Sequence, residues 1–305
     1  MATPLTPFST EDFWASPDNI DQCLASKLLA GSTSLVLGAG ASHGFHLPDW
    51  GELVEAVRTS CGATAPTKPL RPEDEAHQLL INNFSGDRLA FAKAVRTALY
   101  AGASRDSSFL LKSDLLQGIA AFLSSSLRGH GGAVITFNFD DLVETYLRLL
   151  GFVVKSELSV PAWATRADMR VFHPHGLLPL ASEAGTTPIV FTTADFDEVV
   201  GRADDEWNRT MTSILSTTFP VFIGLSGEDS RLRSLLTHTH PTHPALTKDA
   251  SLYWGVRLTL KSAAPYEIDR WKAMKIAPRY FDSYSEIPAW LLTICQRAAQ
   301  AHSRS

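Results

Sequence analysis

Hydrophobic positions along the chain follow two periods. Residues 34–37 (SLVL), 133–137 (AVITF) and 221–223 (VFI) are short, nearly continuous apolar runs, and the first and third stop at a glycine. Such runs predict buried strands. Weaker strand candidates lie at 152–155, 169–172, 189–192 and 252–258. Between them the spacing is helical. Residues 10–30 predict helical turns, and 50–60 place Leu53, Val54 and Val57 on one face. Residues 140–150 predict a helix with Asp140 and Asp141 at its positive end. A polar helix is predicted over 204–218, another begins near Asp229, and 287–301 is amphipathic.

Residues 62–128 stand apart. A Pro/Gly-rich loop runs to residue 72, and helical spacing then continues with no strand pattern interrupting it. Strands alternating with helices predict an α/β fold. The expectation is a Rossmann-like, doubly wound parallel sheet with a helical insertion after its first strand, forming one domain over residues 1–305.

Composition narrows the function. Hydrophobic residues make up 45% of the chain, enough for an ordinary core. A net charge of −5 with no long basic stretch argues against direct nucleic-acid binding. No segment approaches the roughly 18 apolar residues that span a bilayer, and the N-terminus lacks the basic-then-apolar pattern of a secretion signal. Cys23, Cys61 and Cys295 are too few and too scattered for a disulfide framework or a metal cluster. A soluble cytoplasmic protein is expected.

Four segments carry chemistry. The first, LVLGAGASHGFHLPDW (35–50), ends a strand in Gly38-Ala39-Gly40, where absent side chains let main-chain N–H groups approach a phosphate. Ser42 adds a hydroxyl. A tight turn without ligand would read the same way. An ordinary dehydrogenase fingerprint fits poorly, because its third glycine falls on His43. The second, VITFNFDDLVE (134–144), sets Asn138 and Asp140 at a strand's carboxyl edge, where open α/β sheets bind ligands. Turn formation by Asn138 and helix capping by Asp140 are the structural alternatives.

The third, VFHPHGLLP (171–179), offers His175 as a general base, since imidazole titrates near neutral pH. A hydrogen-bonded loop histidine is the alternative. His173 and His175 lack the matching ligands a metal would need. The fourth, VFIGLSGEDSRL (221–232), again runs from strand to Gly/Ser turn to helix. A hydrolase nucleophile elbow fails there, because Glu228 occupies the last glycine position. His238, His240 and His243 form a histidine run within 237–248, expected to be an exposed loop.

Taken in order, these motifs resemble the sirtuin superfamily over roughly residues 33–285. GAGAS with LPDW is similar to its first glycine motif and acidic turn, TFNFDDLVE to its Thr-x-Asn-x-Asp element, HPHG to its His-Gly element, and GLS to its second nucleotide-contacting segment. The deacetylating members carry two close cysteine pairs that hold structural zinc; this chain has none. Trp50 and Gly51 stand where those enzymes continue with an aromatic residue and an arginine. The resemblance therefore points to divergent bacterial sirtuin-like proteins, many of which cleave NAD in defence against phage.

That resemblance implies roles. Gly38, Ala39, Gly40 and Ser42 would cradle the pyrophosphate, and Asp49 would sit near the nicotinamide ribose. Asn138 would hold the ribose and orient water, with Asp140 supporting its loop. His175 would be the general base or a ribose-hydroxyl contact, and Gly224 and Ser226 would line the adenosine side. NAD is then the substrate, with no metal, and the products are nicotinamide and ADP-ribose. A non-catalytic NAD or ADP-ribose sensor, or a protein deacylase or ADP-ribosyltransferase, would use the same motifs. With one domain taking up the sequence, restraint is expected from homo-oligomerisation or a separate partner, such as an ATP-hydrolysing or nucleic-acid-sensing protein.

Overall fold

The structure, a computed structural model, describes residues 11–103, 107–126, 133–158, 166–181, 189–201, 206–239 and 252–303. Seven strands form one all-parallel sheet in the order β3-β4-β2-β1-β5-β6-β7. They are β1 (Thr33–Leu37), β2 (Ala133–Thr136), β3 (Val154–Glu157), β4 (Met169–Phe172), β5 (Phe219–Ile223), β6 (Gly255–Leu260) and β7 (Ile276–Phe281). The chain leaves β1 toward one edge through β2, then returns to build the other half from β5. The order reverses at β1/β5, the switch point where such sheets open a crevice at their carboxyl ends.

Strand alternation sorts the core onto two faces. Leu35, Leu37, Val134, Val221 and Ile223 face the larger core, whereas Val36, Ile135 and Phe222 face the other. The larger layer begins with α1 (Glu11–Ala15), α2 (Pro17–Leu29) and α3 (Trp50–Ser60). It continues through α4 (Pro72–Phe84), α5 (Arg88–Leu99), α6 (Ser107–Leu111), α7 (Asp114–Ser126) and α8 (Leu142–Leu149). After α9 (Thr193–Gly201), the opposite face takes α10 (Glu206–Thr217), α11 (Ser230–Thr239) and α12 (Pro265–Ala273). The terminal α13 (Ile287–Ser303) returns to the first layer beside α2 and α7.

The fold class matches expectation, and so does the helical insertion among its described residues, with α4 to α7 lying between β1 and β2. Several boundaries move. The strand expected at 152–155 forms at Val154–Glu157, and that expected at 252–258 forms at Gly255–Leu260. Residues 189–192 are not a strand. Asp195 Oδ2 accepts hydrogen bonds from the Phe191 and Thr192 N–H groups and from Thr192 Oγ1, at 3.2, 2.9 and 2.8 Å. These bonds turn the segment into the entry of α9. Of the loop expected over 237–248, residues 237–239 finish α11, and the rest lies outside the described residues, His240 and His243 included.

The helical insertion is bound to the segment after the second histidine of HPHG through main-chain acceptors. Tyr100 Oη donates to the Leu178 carbonyl at 2.7 Å. Arg96 Nε and Nη2 donate to the carbonyls of Pro179 and Leu180, both at 2.8 Å. Among the described residues no helix is long and apolar enough to cross a membrane.

Candidate functional site

At the carboxyl ends of β1 and β5 two turns interlock. Gly38 N–H donates to the Ile223 carbonyl at 3.0 Å, and Gly40 N–H to the Gly224 carbonyl at 3.1 Å. A Cβ on Gly38 would fall 2.6 Å from the Gly224 oxygen. Gly224 itself has φ +70°, and a Cβ there would fall 2.4 Å from the Ala41 nitrogen. The first requirement for these glycines is thus close approach of two main chains. Ala41 and Ser42 donate back to Gly38 and Ala39 in a 3₁₀ turn, at 2.9 Å each. Gly38 is buried, while Ala39 and Gly40 are exposed beyond it.

Asn138 follows β2 and reaches across to this turn. Its Nδ2 donates to the Gly38 carbonyl at 3.0 Å and to Ser42 Oγ at 2.9 Å. Ser42 Oγ donates in turn to Asp140 Oδ2 at 2.8 Å, and Asp140 Oδ1 accepts from Leu142 N–H at 3.2 Å. With both Nδ2 hydrogens committed, the amide presents only its Oδ1 acceptor. Burial pushes the Asp140 carboxyl up to about 6, against the lowering effect of its bonds to Ser42 and Leu142. Ser42, expected at the pyrophosphate, and Asn138 and Asp140, expected at the ribose and its loop, therefore form one hydrogen-bonded chain.

The two histidines of HPHG differ sharply. His173 is buried, with Nε2 2.5 Å from Glu144 Oε1 and Nδ1 3.3 Å from the Asn138 carbonyl. Ser156 Oγ donates to the same Glu144 oxygen at 2.9 Å. Burial opposes the charge on both partners, yet their mutual attraction prevails: His173 is raised and Glu144 lowered. This pair holds the Asn138 loop from behind and leaves His173 no free nitrogen for catalysis.

His175 is fully buried among Phe137, Phe196, Trp50 and Phe139, with ring centroids 5.0, 5.3, 6.1 and 6.3 Å away. Neither ring nitrogen makes a hydrogen bond of normal geometry, and neither does the buried Nε1 of Trp50. Nε2 stands 3.4 Å from Asp229 Oδ2. Burial lowers the imidazole to about 4, outweighing the nearby Asp229 charge. At neutral pH His175 is an uncharged ring, able to accept a proton.

Asp49 caps α3. Its Oδ1 accepts from Glu52 N–H and its own N–H donates to Glu52 Oε2, both at 2.9 Å. This capping box holds α3 so that Trp50, the next residue, packs beside His175. Ser226 is exposed after β5, where its Oγ accepts from Glu228 N–H at 3.3 Å. Among the described residues no three His, Cys, Asp or Glu side chains gather closely enough to hold a metal. Sequence reasoning did not find Glu144, Asp229 or the aromatic enclosure of His175. Glu144 sits in a helical pattern and Asp229 at a helix start, positions that carry charged residues for ordinary reasons.

Residues 132–278 match the SIR2-like domain. That span carries Asn138, Asp140, His175, Gly224 and Ser226, and the β1 glycines precede it. A solved structure from work on the mechanism and regulation of Sir2 enzymes is similar at 13% identity, covering 93% of this chain and 98% of that one, with a TM-score of 0.48. A Sir2 homologue in complex with NAD is similar at 14% identity, covering 92% and 95%, with a TM-score of 0.46. A mutant Sir2 homologue in complex with 2′-O-acetyl ADP ribose is similar at 12% identity, covering 91% and 97%, with a TM-score of 0.46. No curated protein matches the chain.

Proposed function

We propose that this protein binds NAD at the carboxyl edge of β1, β2 and β5 and hydrolyses it to nicotinamide and ADP-ribose. The observation that carries this reading is the chain from the Gly38 carbonyl through Asn138 and Ser42 to Asp140. It gathers acceptors of partial and full negative charge at a switch point, within and just before the segment matching the SIR2-like domain. Nicotinamide leaves as a neutral molecule, and the ribose becomes cation-like as the bond breaks. Asn138 Oδ1 and Asp140 favour that charge, and a placed water completes the reaction. One water oxygen bonds to the ribose carbon, the electron pair of the broken bond leaves with nicotinamide, and one proton is released.

Purified protein incubated with NAD, followed by chromatography, tests the reading. Equimolar nicotinamide and ADP-ribose are expected, and intact NAD after prolonged incubation with folded protein would end it. The complete enclosure of His175 favours a second reading, a non-catalytic binder of NAD or ADP-ribose. Binding by calorimetry without turnover identifies that case. The resemblance to divergent bacterial sirtuin-like proteins further supports a role in anti-phage defence, with turnover restrained by self-assembly or a partner. Light scattering on the purified chain, with turnover measured in the same sample, tests the restraint. A fully active monomer tolerated by growing cells would refute it.

A further inference from the structure

Asp229 lies at the start of α11, on the opposite side of the switch point from HPHG. Its two carboxylate oxygens are divided between two tasks. Oδ1 accepts from Leu232 N–H at 2.7 Å and caps the helix. Oδ2 stands 3.4 Å from His175 Nε2, with the Asp229 side chain itself mostly buried. We propose that Asp229 is the positioning residue of His175: its carboxylate charge, beside Nε2 without a hydrogen bond of normal geometry, favours the tautomer that carries the proton on Nε2 and leaves Nδ1 as the proton acceptor.

The surroundings make this carboxylate decisive. The ring is enclosed by Phe137, Phe139, Phe196 and Trp50, none of which carries a charge. The charged groups acting on it are Asp229 and Arg231, and a main-chain group of Phe137 also favours the charged ring. Arg231, whose guanidinium donates to the Pro174 carbonyl, opposes that charge. A neutral imidazole carries its proton on one nitrogen or the other, and the neighbouring acceptor selects which. The Asp229 carboxylate is the charged acceptor beside Nε2, and the main-chain group of Phe137 is a second, uncharged one. The inference rests on the hydrolytic reading for its consequence in turnover. Nδ1 is buried in this structure, so the aromatic enclosure must open for water to reach it; as water then bonds to the ribose carbon and nicotinamide departs with the electron pair, the water proton passes to Nδ1. The Asp229 carboxylate then offsets the imidazolium charge.

Two measurements on the full-length protein separate this inference from the reading beneath it. Nitrogen-15 shifts of the His175 ring at neutral pH report the tautomer directly, whether or not NAD turns over. The unsubstituted protein is expected as the Nε2–H form. In Asp229→Asn, Oδ1 keeps the cap on Leu232 while the amide nitrogen turns toward the ring, so the proton moves to Nδ1. Turnover is expected to fall about 100-fold or more, with KM little changed, as when an orienting carboxylate is neutralised. Asp229→Ser, which caps a helix but does not reach the ring, serves should the Asn variant fail to fold; a mixture of tautomers is expected. An unchanged tautomer in a folded variant, or turnover within threefold of the parent, overturns the inference. A tautomer switch in a protein that never cleaves NAD upholds the positioning role and removes the hydrolytic reading alone.

Discussion

A Cβ placed on Gly40 would lie 2.7 Å from the Cα of Gly224. Two turns separated by most of the chain are therefore in main-chain contact, at the point where the sheet reverses its winding. The site is built on that contact.

Gly224→Ala should accordingly cost far more than an ordinary glycine replacement. The residue has φ +70°, and its Cβ would overlap the Ala41 nitrogen. Gly151 is the control, with φ +90° and open space around a Cβ. Urea denaturation should show roughly 1 kcal/mol lost at Gly151 and about 3 kcal/mol or more at Gly224. Equal losses would mean that the contact between the turns is not what selects glycine.

Asn138→Ala removes both donors that tie β2 to the glycine turn. NAD cleavage should fall by about two orders of magnitude or more. His175→Ala should produce a comparable loss. Asn138→Asp should be no better, because a carboxylate facing the Gly38 carbonyl brings repulsion where a donor stood. Initial rates by chromatography, with thermal melting as the folding control, decide this. Near-normal turnover in Asn138→Ala and His175→Ala alike would move the active site elsewhere.

Asp140 links the site to pH. Its carboxyl rises from 3.8 to about 6 in the fold, chiefly by burial. Between those values the native state binds more protons than the unfolded chain, so stability falls as pH rises. The contribution is fully present below about pH 4 and lost above about pH 6. Asp140→Asn keeps the acceptor for Leu142 N–H and removes the buried charge, at the cost of the acceptor for the Ser42 hydroxyl. Relative to the parent, its stability should be roughly 1–3 kcal/mol more favourable at pH 7.5 than at pH 4. His175, lowered from 6.5 to about 4, acts with opposite sign: its stability is present above about pH 6.5 and lost as pH falls toward 4. The variant-minus-parent difference, not the parent profile alone, is the quantity to measure. A difference that does not change with pH would rule out Asp140 as the titrating group.

Tyr100→Phe isolates one link between the insertion and the site. It strips the Leu178 carbonyl of a buried donor while keeping the ring. A loss of about 1–2 kcal/mol is expected in chemical denaturation. No measurable change would show that this link contributes nothing to stability.

Much of this arrangement was legible in the sequence because continuous apolar runs have few alternatives. SLVL, AVIT and PVFI lie at the centre of the sheet and are buried on both faces, and the pattern found all three. β7 escaped because Pro278 and Arg279 interrupt it. Arg279 is accommodated by the Asp21 carboxylate at 2.9 Å and by the Phe281 ring at 4.9 Å, partners that local pattern cannot anticipate. The site divides in the same way. Ser42, Asn138 and Asp140 end predicted elements and do meet. Asp229 and Glu144 acquire their importance only from what lies across the fold from them. The glycines were legible as special, but what presses against them was not, since that depends on the pairing of β1 with β5.

The donors that Tyr100 and Arg96 extend to the carbonyls of residues 178–180 have a bearing on how such a chain can vary. An insertion held only by its own apolar face could be shortened, lengthened or exchanged as a cassette. This one could not be excised cleanly: its removal would leave three successive acceptors bare directly after the histidine loop. Substitutions in α5 and in residues 177–180 are therefore expected to tolerate one another only in matched pairs. Grafting the insertion between related chains should succeed when the histidine loop travels with it.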